Sequence, residues 1–383
     1  MAEESSQRPL HVGFDREIFV RQSRGGISRY FAELMAQFDQ DQQLRISPHL
    51  LFARCSNEHL RERAPEATSQ LPALRSVPRG LPRLVNAADP VKDAYLRFRA
   101  GTTPASPKLD WLHASYLRPM ASDLARAPRL AITVYDMTPE LLHLDTSSGP
   151  YRGKAELARR ADLILTISRT TAEQFNALMP GSEGKVVSIP LGVQSMFLEQ
   201  LDDSGPAVDF PYLLFVGSRA QYKRFDLLLA ALAELREQGH DLGLVIAGPA
   251  LAEQERAQVL AHLPADRVHA STPTDQELVG LYRHARAFVF PSQHEGFGLP
   301  ILEAFAASCP VVATDIPVFR EVAGDAACYF EGSSAESLTQ AVLTTITDEV
   351  GREQRVTAGH SRARAASWHA TAEATAAAYR QFS

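Results

Sequence analysis

The sequence has few cysteines, no long apolar run and no excess of positive charge. Its three cysteines, Cys55, Cys309 and Cys328, form neither a metal-ligand spacing nor an even set for disulfides. No apolar segment approaches the ~18 residues of a membrane-spanning helix, and the polar residues 1–7 do not resemble a signal peptide. The formal net charge of −6 argues against general nucleic-acid binding. These features predict a cytoplasmic protein with reduced thiols.

The length of the chain predicts more than one domain. A sequence of 383 residues is too long for one ordinary core and suits two domains of roughly 150–200 residues. Strand and helix patterns alternate in both halves, which predicts an α/β fold with parallel sheets. The acidic segment 198–209, which contains serine, glycine and proline, is the best linker. We therefore expect domains at residues 1–200 and 201–365, followed by a terminal helix at 366–383.

The segment 291–305 has the pattern of a phosphate site. A short apolar run at 287–290 predicts a buried strand before it. Gly296 and Gly298 allow a tight turn close to a ligand, and Pro300 suits the first position of a helix. The amide groups and the positive dipole end of that helix would then face the carboxyl edge of a sheet, where phosphates bind.

Two glutamates in this segment are candidate ligand contacts. Glu303 falls in a helix that is otherwise apolar, and a buried glutamate needs a partner. Its carboxylate could accept two hydrogen bonds from a ribose diol, while Glu295 in the turn would meet the group beyond the phosphates. The alternative is that Glu303 complements the helix dipole and Glu295 is a solvated loop residue. The agreement of glycines, proline and carboxylates favours a ligand site.

The same segment resembles the motif of the retaining glycosyltransferases of family 4, which have the GT-B fold. The shared features are two glutamates separated by seven residues around a Gly-Phe-Gly-Leu-Pro core. The resemblance implies two Rossmann-like domains with parallel sheets facing a central cleft. It also implies that Glu303 holds the donor ribose and that Glu295, with adjacent backbone amides, meets the donor sugar and phosphates. The donor-binding residues implied here are Glu295, Gly296, Phe297, Gly298, Leu299 and Glu303.

Two motifs in the first half extend the resemblance. Gly25 and Gly26 lie between a strand and a helix, as a simple turn or as a second phosphate cradle. The string 25–34 is similar to the family loop that closes over donor phosphate and acceptor. Asp136 resembles the aspartate of the family's His-Asp motif near the donor sugar, although Tyr135 stands at the histidine position. His113 ends a neighbouring strand, and we interpret it as a structural histidine.

A basic turn opens the second half. Arg219 and Lys223 lie four residues apart after a buried strand, where charge-assisted bonds to a diphosphate are among the stronger polar contacts available. The alternative is a solvated basic turn. The Gly-Ser-Arg-x-x-Tyr-Lys string resembles a variant of the family motif, which implies phosphate contacts for both side chains. The commoner pattern is Arg-Lys-Asn, whereas Tyr222 and Arg224 flank the lysine here.

Three further segments bear on partners and metals. Between residues 54 and 129 the sequence carries 13 basic and 7 acidic side chains, and 81–99 predicts a basic amphipathic helix. This helix either covers the core or docks an anionic acceptor or membrane surface. Asp39 and Asp41 superficially match a metal motif, but they follow an early helix and are interpreted as a surface turn. The terminal helix resembles the GT-B helix that crosses back to the first domain.

The resemblance as a whole implies a retaining hexosyltransferase. The donor would be GDP-mannose or a UDP-hexose, and the acceptor a hydroxyl of a glycan, a lipid-linked molecule or a small molecule. Asp136 and Glu295 are the candidate catalytic residues, and neither a metal nor another cofactor is expected. Peripheral contact with an anionic membrane at its inner face is left open. The alternatives are a non-catalytic subunit that binds nucleotide sugar, and an epimerase or phosphorylase of the same fold.

Overall fold

The computed structural model describes residues 8–65, 94, 98, 101, 107–144, 151, 153–199 and 207–383. The basic helix predicted at 81–99 lies outside the described residues except at positions 94 and 98. Linker residues 200–206 lie outside them as well.

The first sheet has six parallel strands in the order β2-β1-β3-β4-β5-β6. Its strands are β1 Leu10–Phe14, β2 Ile46–Leu50, β3 Trp111–Ala114, β4 Arg129–Val134, β5 Leu163–Thr166 and β6 Val186–Ser188. The second sheet is also parallel and six-stranded, in the order β12-β11-β10-β7-β8-β9. Its strands are β7 Tyr212–Val216, β8 Gly243–Ala247, β9 Val268–Ser271, β10 Ala287–Phe290, β11 Val311–Thr314 and β12 Cys328–Phe330.

Helices follow the strands in both halves, as connections between parallel strands usually require. In the first half they are α1 Glu17–Arg21, α2 Gly26–Gln40, α3 Glu58–Arg63, α4 Ala121–Leu124, α5 Thr138–Leu141, α6 Lys154–Arg160, α7 Arg169–Leu178 and α8 Ser195–Leu198. In the second half they are α9 Phe225–Glu237, α10 Glu253–His262, α11 Asp275–His284, α12 Leu299–Ala306, α13 Pro317–Ala323, α14 Ala335–Thr347, α15 Glu349–Ala365 and α16 Trp368–Gln381.

The central strands are buried on both faces, as parallel sheets covered by helices require. In the second sheet, Leu213 and Phe215 of β7 and Leu244 of β8 pack with the apolar face of α9 in one core cluster. In the first sheet, Ile132 and Val134 of β4 belong to the corresponding cluster. Because these strands are continuous apolar runs, the sequence predicted the alternation of strands and helices.

The chain divides into two units. The first contains Met1–Leu191 and Trp368–Ser383, and the second contains Gly192–Ser367. The division follows Leu191 rather than residue 200, because α8 packs on α11 and α12 of the second unit. The terminal helix α16 is part of the first unit, where the Tyr379 hydroxyl lies 2.6 Å from His113 Nδ1.

Candidate functional site

The strand order of the second sheet places a topological switch point between β7 and β10. From β7 the chain proceeds to β8 and β9 on one side, then returns to β10 on the other side. Ligands of doubly wound sheets bind at the carboxyl edge of such a switch point. The loops that follow β7 and β10 are joined there, because the Gln293 amide donates to the Tyr222 carbonyl at 2.7 Å. The predicted basic turn and the predicted glycine turn are therefore neighbours.

Lys223 and Glu295 form an ion pair between these two loops. The Lys223 ammonium lies 2.5 Å from Glu295 Oε1, and the two side chains are 14% and 17% exposed. The ammonium also lies 5.4 Å from the centre of the Phe290 ring. Partial burial makes both charges costly unless they are paired. An incoming phosphate could therefore take the place of the carboxylate on Lys223.

Arg219 has a carboxylate partner that the sequence analysis did not identify. Its Nε and Nη2 lie 2.8 and 3.0 Å from the two oxygens of Glu255 on α10. This guanidinium is the principal reason that the pKa of Glu255 is lowered, with a backbone bond from Ala252 adding to it. Nη1 of Arg219 is buried and has no hydrogen-bond partner within the described chain. Arg219 thus links the loop after β7 to α10, and its Nη1 group still has hydrogen atoms to donate.

The helix after the glycine turn begins one residue earlier than the sequence suggested. Gly298 precedes α12 with φ +109°, and Pro300 occupies the second helical position. A side chain at Gly298 would be strained by that φ and would meet the Phe319 ring at 3.2 Å. The turn therefore requires glycine at this point, immediately before the amide groups of the helix.

Glu303 is buried in α12, as its apolar surroundings predicted, and is 5% exposed. A protein group bonds it: the Tyr282 hydroxyl donates to Glu303 Oε2 at 3.2 Å. Tyr282 lies on α11 and is fully buried. The sequence analysis missed Tyr282, because one tyrosine in an amphipathic helix has no distinguishing spacing. Its contact with the carboxylate is visible only once the two helices are packed.

In the first unit, the glycine pair opens α2 as expected. Gly25 precedes the helix with extended backbone, and Ser28 NH donates to Gln22 Oε1 at 3.1 Å. A Cβ at Gly25 would meet the Gln22 side chain at 2.5 Å, whereas a Cβ at Gly26 would meet nothing within 4 Å. A side chain at Gly25 would therefore displace the Gln22 side chain from its bond to Ser28, whereas Gly26 has open space around it.

Asp136 follows β4 in a loop that is bonded by the buried side chain of Lys154. The Asp136 carboxylate accepts from Thr138 NH at 2.8 Å. Lys154 donates to the Asp136 carbonyl at 3.1 Å and pairs with Glu140 at 2.9 Å. A cavity of about 440 Å³ lies beside this pair. Its lining includes Leu117, Arg118, Tyr151 and Leu157.

The switch point of the first sheet, between β1 and β3, carries acidic residues that the sequence analysis did not single out. Asp15 Oδ1 accepts from Glu17 NH and from Ser115 NH, both at 3.2 Å, and also from the Ser115 hydroxyl. Glu17 Oε2 accepts from Arg118 NH at 2.8 Å. Both carboxylates are 1% exposed. Consecutive charged residues directly after a buried strand were the signal that could have revealed them.

His113 is part of a buried polar chain. Its Nδ1 lies 2.6 Å from the Tyr379 hydroxyl, and its Nε2 lies 2.8 Å from Thr133 Oγ1. Burial lowers the pKa of His113 to about 3. Both ring nitrogens have internal partners, which is the environment of a structural histidine.

The described part of the chain holds no group of three or more His, Cys, Asp or Glu side chains arranged to bind a metal ion. The Asp41 carboxylate, part of the superficial metal motif, lies 2.9 Å from His369 Nε2. Among the helices within these same ranges, none is long and apolar enough to cross a membrane.

The two doubly wound sheets are those of the GT-B glycosyltransferase fold, which confirms the predicted fold class. Sucrose-phosphate synthase from Thermosynechococcus elongatus matches with a TM-score of 0.72 and 18% identity, covering 97% of this chain and 98% of that one. WaaG, a glycosyltransferase involved in lipopolysaccharide biosynthesis, matches with a TM-score of 0.64 and 17% identity, covering 95% and 98%.

Sequence comparison also finds similarity to glycosyltransferases. Residues 197–362 match the family model of glycosyl transferases group 1. The serotype-specific mannosyltransferase WbdA of Escherichia coli is 32% identical over 208 residues, which are 49% of this chain and 25% of that protein. The D-inositol 3-phosphate glycosyltransferase of Kineococcus radiotolerans is 30% identical over 262 residues, 61% of this chain and 60% of that protein. Residues 197–362 are thus similar to the group 1 glycosyl transferases, which confirms the resemblance to glycosyltransferases that the glutamate motif indicated.

Proposed function

We propose that the protein transfers a hexose from a nucleoside diphosphate sugar to an acceptor hydroxyl with retention of anomeric configuration. One observation carries the proposal: Lys223, Glu295 and the start of α12 lie at the switch point of the second sheet. The mannosyltransferases among its relatives favour mannose from GDP-mannose as the donor. A UDP-hexose is the second choice.

The chemistry requires stabilisation of a leaving diphosphate. Lys223, the unused Nη1 of Arg219 and the amide groups at the start of α12 would bind its oxygens. Lys223 would release Glu295 when phosphate arrives, which frees that carboxylate to bind the sugar. Glu303 would accept from the ribose hydroxyls. The leaving phosphate itself would deprotonate the acceptor, so no general base is assigned.

The proposal also covers the residues of the first unit, the acceptor and the role of metal. Gly25, Gly26 and Asp136 keep their predicted roles toward donor and sugar, and the acceptor hydroxyl belongs to a glycan, a lipid-linked molecule or a small molecule. We propose that no metal takes part. Activity that survives excess EDTA is the expected result, and its loss would overturn this point. Contact with an anionic membrane stays a prediction from the sequence.

A thermal-shift panel tests the donor site. UDP, GDP, ADP and TDP, each with its common sugars, are added to the wild type, to Glu303→Ala and to a control, Glu336→Ala, whose side chain is exposed. A ligand at a hundred times its Kd stabilises by about 2.7 kcal/mol, which shifts Tm by several degrees. One base family should shift the wild type and the control but not Glu303→Ala. No shift with any nucleotide would refute the donor site.

An activity assay then separates the transferase from its alternatives. Release of nucleoside diphosphate should depend on an added acceptor, and the anomeric proton of the product should show the configuration of the donor in its NMR spectrum. Sugar conversion without acceptor would indicate an epimerase, and a requirement for phosphate would indicate a phosphorylase. Binding without turnover across the acceptor panel would indicate a non-catalytic subunit.

A further inference from the structure

Glu303 is set in an unusual environment for a ligand-binding carboxylate. It lies in the middle of α12 between Leu302 and Ala304, which are both buried. A carboxylate taken out of water in such surroundings must be hydrogen-bonded, or it loses its charge. The hydrogen bond from Tyr282 meets that requirement with a group from a different helix, α11.

The ring of Tyr282 is itself fixed. Phe197 of α8 packs edge-on against it at 6.1 Å between ring centres, and Phe288 of β10 packs edge-on at 5.5 Å. A ring held on two sides keeps its hydroxyl oxygen at one place beside Glu303. The hydrogen bond to Glu303 Oε2 therefore restrains the carboxylate before any ligand arrives.

We propose that Tyr282 is a positioning residue that orients Glu303 for the ribose hydroxyls of the donor. The inference rests on the proposed function, since it assigns a support to the carboxylate that binds the nucleotide. A prepositioned acceptor gains binding free energy because less side-chain freedom is lost when the ligand binds. Tyr282 acts through Glu303 and does not contact the donor.

The chain contains a matched control for this hydroxyl. Tyr212 on β7 is also buried, and its hydroxyl donates to the Leu281 carbonyl at 2.8 Å, next to Tyr282 on the same helix. Tyr212→Phe removes the same group from the same region and leaves the Glu303 contact intact. Any effect of general loosening of α11 should appear in both variants.

The test compares ribonucleotide with deoxyribonucleotide binding by calorimetry. The probes are GDP and dGDP, or UDP and dUDP if UDP binds the wild type more tightly. We expect the wild type and Tyr212→Phe to prefer the ribo form by about tenfold, because hydrogen bonds to a carboxylate are strong enough for that discrimination. Tyr282→Phe should reduce the ratio to about threefold or less.

A double-mutant cycle tests whether Tyr282 acts through Glu303, and the Tm of Tyr282→Phe without ligand shows whether that variant is folded. Glu303→Gln should lower the same ratio, and adding Tyr282→Phe to it should lower the ratio no further, because both act on one contact. A ribo preference that persists in Tyr282→Phe would overturn the inference and leave the donor site standing. A wild type that binds both forms equally would refute the Glu303 contact and the inference together. A wild type that binds neither would refute the proposed function.

Discussion

Asp15 at the first switch point and the carboxylates at the second switch point have different kinds of partner. At the first sheet, Asp15 accepts from amide and hydroxyl groups of two adjacent loops. At the second sheet, Glu295 and Glu255 pair with the long cationic side chains Lys223 and Arg219. Amide groups of the backbone cannot leave their carboxylate without unfolding a loop, whereas an ammonium or guanidinium can exchange one anion for another. The first arrangement supports the fold, and the second is suited to a ligand.

Substitution of Asp15 removes the hydrogen bonds that join the two loops at the first switch point. In Asp15→Ala, buried donors at Glu17 and Ser115 lose their acceptor, which should destabilise the first unit by about 3 kcal/mol. Both tryptophans, Trp111 and Trp368, belong to this unit, so tryptophan fluorescence during urea unfolding reports on it selectively.

Asp136→Ala is the control for that change. The Asp136 carboxylate is less buried and is bonded by one loop amide, that of Thr138, so its loss should cost below about 1 kcal/mol. Equal destabilisation by the two variants would show that Asp15 has no special structural role.

Acid should also destabilise the first unit through His113. Its pKa is lowered to about 3 in the folded protein and is about 6.5 in the unfolded chain. The unfolded state alone binds the proton between these values, so stability is complete above pH 6.5 and falls as the pH is lowered toward 3. Between pH 7 and pH 4.5 this group should remove about 2–3 kcal/mol.

The variant His113→Gln isolates this contribution, because the pKa of His49 is lowered as well, to about 4, by burial and by His11. The variant should be less stable at pH 7 but should lose less stability on acidification, as measured by the same fluorescence. Parallel curves for the two proteins would assign the acid sensitivity to other groups.

Substitutions at the second switch point should change the affinity for ligand rather than the free energy of unfolding. Lys223→Met should weaken binding of the nucleoside diphosphate by about thirtyfold, or ~2 kcal/mol, because one charge-assisted contact is lost. Arg224→Met is the control: among the residues that the structure describes, its guanidinium makes a 3.4 Å contact with the Gly332 carbonyl and a 3.7 Å contact with Asp226. Equal weakening by both would point to general positive charge instead of a specific contact.

The sequence predicted the parts of this molecule that local pattern controls. Continuous apolar runs predicted the parallel strands, and the glycines of the β10 loop predicted its turn. The start of α12 differed by one residue, because Leu299 can enter the helix ahead of Pro300.

The partners of the charged side chains could not be predicted in the same way. Glu255 and Tyr282 meet their partners across 36 and 21 positions of sequence, and neither has a spacing that marks it. Asp15 bonds Ser115 across 100 positions. Such contacts depend on how the loops converge at a sheet edge, which is a property of strand order rather than of any single segment.

The smallest expected effect concerns Glu295. Its removal should lower turnover but should not weaken binding of nucleoside diphosphate. Glu295→Ala should lower turnover at least tenfold, about 1.4 kcal/mol in barrier height, because the sugar loses a contact. Nucleoside diphosphate without sugar should bind the variant at least as tightly as the wild type, because Lys223 no longer has to leave a carboxylate. Steady-state kinetics and calorimetry measure the two effects. Unchanged turnover would remove Glu295 from the site, whereas weaker diphosphate binding would show that the Lys223–Glu295 pair supports the loop in the way that Asp15 supports the first sheet.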